Sequence, residues 1–131
     1  MNSTSGEALR GKKCLPCEGG VEPLGTNEAR QYGEAVPRWS LSDDGKSISR
    51  KVLCANFGDA VQLITRIAEV AESEQHHPDL HLTGYRKLRV DLTTHAIDGL
   101  SENDFIVAAK IDQLLDESST CRPAVNSVAD F

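Results

Sequence analysis

The chain has no long apolar run. None approaches the ~20 residues a helix needs to cross a bilayer, so a membrane span is not expected. The opening stretch, Met1 to Lys13, holds neither the apolar middle of a secretory signal nor the repeated arginines of an organelle transit peptide. A cytoplasmic protein is the expectation, with a nuclear or organellar pool left open. Positive charge is also short. Lys and Arg number 14 against 20 Asp and Glu, for a net charge of −6. A nucleic-acid binder gathers cations on one face to displace counterions. With no basic block here, direct DNA or RNA binding is not expected. No HExxH, no Gly-rich phosphate loop and no GxSxG elbow occurs, which removes the commonest zinc-protease, nucleotide and serine-hydrolase readings.

Cysteines are four: Cys14, Cys17, Cys54 and Cys121. Without a secretory signal, reduced thiols are the default. Cys14 and Cys17 have CxxC spacing, which serves redox chemistry between a strand and a helix, or half a zinc site. No strand is evident before Cys14 and no second close pair follows, so a structural or incidental role is preferred. No metal and no cofactor is expected.

What is present suits one globular domain. Of 131 residues, 39% are apolar and 26% charged, enough for a core and a soluble surface. Residues 1–24 are small, polar and Gly-containing, and read as a partly disordered extension carrying the CxxC. Residues 25–117 read as the folded domain. Residues 118–131 lack periodicity and read as a disordered tail.

A first helix can start at Thr26, with Ala29, Tyr32 and Val36 as its apolar stripe, and must end before Pro37. Arg38 to Leu41, around Trp39, is a short strand candidate. The Asp43-Asp44-Gly45-Lys46 turn leads into an alternating strand over 47–54, with Ile48, Val52 and Cys54 on one face and Arg50 breaking the pattern. The clearest helix runs over about 57–75, capped by Asn56. Phe57, Ala60, Val61, Ile64, Ile67, Ala68 and Ala71 form its stripe. Pro78 stops it. Strands follow over 80–85 and 87–93, the second with Leu88, Val90 and Leu92 facing in. Ser101 to Asp104 resembles a capping box, starting a helix with Phe105, Ala108, Ile111 and Leu115 inside. The order α-β-β-α-β-β-α, with short turns, predicts an α+β fold: a four-stranded antiparallel sheet with three helices on one face.

Three histidines sit at element ends: His76 and His77 after the long helix, His95 after the last strand. Ends of elements let side chains converge without filling the core. Imidazoles can hold and release protons near neutral pH. Plainer readings stand beside this one. A His-His pair at a helix end is also a simple cap, and Asp104 is explained by capping. Trp39 is by default a packing residue, and Tyr85 fits either a core edge or a pocket. His81 lies on the outward side of its strand, and Pro78 prevents the helix that would let His77 and His81 share a metal.

One combination goes further. Glu72-x-x-x-His76-His77-Pro78, then Tyr85, His95 and Asp104 at fixed intervals, resembles the pterin-4a-carbinolamine dehydratase signature. The run Thr94-His95-Ala96-Ile97-Asp98-Gly99-Leu100-Ser101-Glu102-Asn103-Asp104-Phe105 is similar to bacterial and plant members, as is the lead-in from Lys12 to Gly20. The likeness covers roughly 12–115. It implies the fold expected above, a homodimer or homotetramer, and dehydration of a 4a-hydroxytetrahydropterin to quinonoid dihydropterin, which recycles the cofactor of aromatic amino-acid hydroxylases. It implies His76 and His95 as acids for the two faces of the substrate. His77 would be a binding group and base. Asp104 would orient a histidine or help bind, and Trp39 and Tyr85 would contact the pterin. Gly84 reads as an extra residue that widens the turn before Tyr85. The family also contains coactivators that join transcription-factor dimers and relatives that act as assembly factors. The alternative implied is therefore a non-catalytic binding module, with a transcription factor or a hydroxylase as partner.

Overall fold

The structure is a computed structural model and describes residues 5–15 and 22–124. In chain order the elements are α1 (Gly6–Arg10), α2 (Thr26–Gly33), β1 (Ser40–Leu41), β2 (Ile48–Cys54), α3 (Phe57–Glu74), β3 (Asp79–Thr83), β4 (Lys87–Leu92), a 3-10 turn (His95–Ile97), α4 (Glu102–Asp116) and β5 (Cys121–Pro123). The sheet is antiparallel, ordered β1-β2-β4-β3, and β5 pairs with β2 next to β1. The α+β class is as expected. Two additions correct the count: a fifth strand and a short N-terminal helix.

Both lie where no order was expected. α1 buries Leu9 completely and packs on α4, with Ser5 accepting the Ala8 N–H as its cap. β5 lies in the stretch read as a tail, and its Cys121 is joined to Cys54 by a disulfide. The reduced-thiol expectation is therefore corrected for this pair. Cys17 and residues 125–131 lie outside the described residues, so the CxxC and the remainder of the tail are not placed. Cys14 is buried, and burial foremost, with Glu74 nearby, pushes its thiol up to about 12. A thiol so held is not the thiolate a redox site uses.

The strand alternation predicted for 87–93 is what the core uses: Leu88, Val90 and Leu92 are fully buried. β2 alternates too, and Arg50 takes an inward position rather than breaking the pattern. It is buried against Asp112 of α4, which also accepts the Trp39 indole N–H at 2.8 Å. A buried guanidinium is tolerable because it is paired. In α3 the buried line is Ala60, Leu63, Ile67, Ala71 and Glu74. Phe57 and Val61 are exposed, so the stripe is turned from the one expected. α4 buries Phe105, Ala108, Ile111 and Leu115 as expected.

Candidate active site

The sheet register decides where the histidines go. β3 runs antiparallel to β4 with Asp79 opposite Asp91, so the residues just before β3 lie beside those just after β4. α3 ends at Gln75 in left-handed geometry (φ 57°), and the His76 N–H closes on the Ala71 carbonyl at 3.1 Å. This is a C-terminal cap of the helix, so His76 has the capping role that its position alone suggests. Its ring then points to α4. After β4, Thr94 and Gly99 form an isolated bridge that loops His95 out on the 3-10 turn. Gly99 lies so close to Pro23 that a Cβ would stand 2.6 Å from that ring, so only glycine fits there.

His76, His77 and His95 line one cavity of about 240 Å³, together with Gln75, Thr93 and Thr94. Leu15, Ala96 and Asn103 are the other described residues of the lining. His76 is nearly buried, and its Nε2 lies 2.6 Å from Asp104 Oδ1. Asp104 itself is fully buried. Its Oδ2 accepts the Thr94 hydroxyl at 2.7 Å and the Ser101 N–H at 3.0 Å. A carboxylate already receiving two donors on one oxygen accepts the His76 Nε2–H on the other, leaving Nδ1 as the ring nitrogen without hydrogen. His77 is exposed, and its Nε2 lies 2.6 Å from Glu72 Oε2. Asp98 turns its carboxylate to Lys46, at 3.0 Å.

Two expected site residues are not brought here. Trp39 is buried and tied to Asp112, eight residues along α4 from Asp104, or about 12 Å by helix rise. Tyr85 is 60% exposed in the β3–β4 turn, where it and Gly84 both take positive φ. The turn lies at the opposite end of the hairpin, beyond the full length of β3, about 15 Å by strand rise. Within this chain neither lines the cavity. His81 is on the surface beside Asp91. Residues that sequence reasoning did not single out are Thr94, which ties Asp104, and Asn103 and Leu15 at the rim. Thr94 and Asn103 stand inside the quoted family run, which was the available signal. Leu15 stands inside the Lys12–Gly20 lead-in, which carries the same likeness. A larger concavity of about 370 Å³, between Arg38, Arg50, Lys51 and Pro123, holds no histidine and no carboxylate among the described residues. Two other concavities carry aspartates, Asp112 and Asp116 in one and Asp43 and Asp44 in the other, but no histidine among their described residues; the histidine cavity is where imidazoles gather.

The sequence model for the family described as pterin 4 alpha carbinolamine dehydratase matches residues 22–114. A protein of Halorhodospira halophila named for that dehydratase is 49% identical over 107 residues, covering 82% of this chain and 97% of the relative. Mitochondrial pterin-4-alpha-carbinolamine dehydratase 2 of Arabidopsis thaliana is 39% identical over 109 residues, 81% of this chain and 58% of that protein. Among solved structures, a transcriptional coactivator/pterin dehydratase from Brucella melitensis superposes with a TM-score of 0.66 at 27% identity, covering 71% of this chain and 98% of its own.

Proposed function

The chain belongs to the pterin-4a-carbinolamine dehydratase family and is a hydro-lyase; from that premise we propose that it dehydrates a 4a-hydroxytetrahydropterin by histidine acid–base catalysis. The observation that carries the reading is the meeting of His76, His77 and His95 around one cavity. In the carbinolamine the hydroxyl sits on C4a beside N5–H. Elimination breaks C4a–O as the oxygen takes a proton and leaves as water. N5 releases its proton and the C4a=N5 bond of quinonoid dihydropterin forms. One proton is given and one taken, so the chemistry needs groups that exchange protons near pH 7.

His76 and His95 serve as acids toward the two faces of the substrate, and His77 binds it and takes the N5 proton. Asp104, fully buried behind His76 and Thr94, acts as a positioning residue: it fixes which ring nitrogen of His76 carries hydrogen. The quinonoid product, once reduced by two electrons in a separate reductase step, rejoins the tetrahydropterin pool that aromatic amino-acid hydroxylases draw on, in the cytoplasm. The outer edge of β3 has no partner strand among the described residues. An open edge invites pairing with a second copy, which supports a homodimer or homotetramer.

The test is turnover of a chemically prepared 4a-hydroxytetrahydropterin. His76→Ala and His95→Ala are each expected to lower kcat/KM by about 10²- to 10⁴-fold. Undiminished turnover in both removes the assigned roles. A wild-type chain that does not accelerate dehydration removes the catalytic reading and leaves the binding module.

A further inference from the structure

The residues before the family match reach the same cavity. From Lys12 to Leu15 the chain has no regular structure, yet it is fastened along its length. Lys12 Nζ meets Glu102 at 2.6 Å, Lys13 Nζ donates to the Ser73 carbonyl at 2.9 Å, and the Cys14 N–H donates to buried Glu74 at 2.8 Å. Asn103 then clamps Leu15 from both sides of its peptide: the Leu15 N–H donates to Asn103 Oδ1 at 3.0 Å, and Asn103 Nδ2 donates to the Leu15 carbonyl at 2.6 Å. These bonds hold Leu15 at the rim of the histidine cavity while leaving it 71% exposed.

A single exposed leucine is ordinary on a protein surface. One fixed by a two-bond amide clamp is less easily explained by folding, since an exposed side chain adds little to stability. Its neighbours give it a use. Among the described residues the cavity is otherwise lined by imidazoles, hydroxyls and amides, with Ala96 as the other apolar member. A flat bicyclic ring has donors and acceptors on its edge but needs apolar contact on its face.

We propose that Leu15 is a substrate-contact residue: held at the rim by Asn103, it supplies the apolar surface on which the face of the pterin ring rests. The proposal builds on the dehydratase reading and adds a residue of the N-terminal lead-in, outside the family match at 22–114. Asn103 is then a positioning residue that acts through Leu15.

The experiment uses the full chain and the 4a-hydroxytetrahydropterin assay. Leu15→Ala is expected to raise KM about tenfold with kcat within about twofold, because it removes apolar contact made alike in ground and transition state. Leu15→Met should return KM to within about twofold of wild type. Asn103→Ala should raise KM as Leu15→Ala does, and the double variant should be no worse than the more affected single one, as expected for residues acting in series. Should Asn103→Ala not fold, the two Leu15 variants decide alone, since that exposed position carries no core packing. An unchanged KM in Leu15→Ala, or a loss confined to kcat, overturns the ring contact while wild-type turnover keeps the dehydratase reading intact. Absence of wild-type turnover overturns both.

Discussion

Asp104 and His76 are 28 residues apart in the chain and 2.6 Å apart in space, and the carboxylate that holds the imidazole also caps α4. One oxygen closes the capping box with Ser101 while the other receives the ring N–H, so helix start and candidate catalytic group are oriented by one side chain. Asp104→Asn separates the two duties. The amide oxygen can still serve Thr94 and Ser101, but the NH2 then faces His76 Nε2 and forces hydrogen onto Nδ1. We expect kcat to fall by about 10²-fold with KM nearly unchanged. A variant with wild-type kcat would remove the positioning role.

Trp39 is expected to matter for stability and not for substrate. Its indole N–H is one of two donors on Asp112 among the described residues, the other being Arg50. Burial raises the Asp112 carboxyl above its usual value, and these two donors oppose that shift. Trp39→Phe withdraws one of them and should cost about 1–2 kcal/mol in chemical denaturation. KM for the pterin should stay within about twofold. A large KM increase would place the indole in the substrate site after all.

Glu74 gives a pH dependence. Burial on its own would raise its carboxyl. The Cys14 N–H, and Lys110 at 3.1 Å, outweigh that effect and hold it below its ordinary value of 4.5. A folded-state value below the unfolded one means stability that is present above pH 4.5 and lost as pH falls through the folded value. Glu74→Gln should therefore be less stable than wild type by about 1–2 kcal/mol at pH 7. The gap should close below the folded value. A gap constant from pH 7 to pH 3 would show that charge is not what Glu74 contributes.

The Cys54–Cys121 bond closes a separation of 67 residues and secures β5 to β2. By its effect on unfolded-chain entropy such a loop is worth about 2–4 kcal/mol. Cys121→Ser should lose that amount without reductant and should not respond when reductant is added, whereas wild type should. kcat should not change, because Cys54 meets Arg86 at the end of the sheet away from the histidines. Equal melting of wild type and variant without reductant would count against a stabilising bond.

Long elements were legible in the sequence because each carries its own periodic signal: α3, β4 and α4 lie where apolar spacing and caps place them. Short ones were not. α1 has one buried leucine and β5 three residues, and neither has meaning without the α4 surface or the β2 edge it adds to. The α3 stripe was misjudged for a related reason. Hydrophobicity favours Phe57 and Val61, yet the packed face includes Glu74, which can be buried only because Cys14 and Lys110 satisfy it.

By itself the sequence determined the order of the elements between α2 and α4, the inward faces of β4 and α4, and the fixed intervals that mark the three histidines and Asp104 as one family pattern. Only the tertiary structure decided which of those residues meet. Antiparallel pairing of β3 with β4 puts His76 beside His95 and Tyr85 at the far end, a consequence of register that spacing along a chain does not encode. The clamp on Leu15 also belongs to the folded state, since it joins residues 88 apart through backbone groups that every residue has.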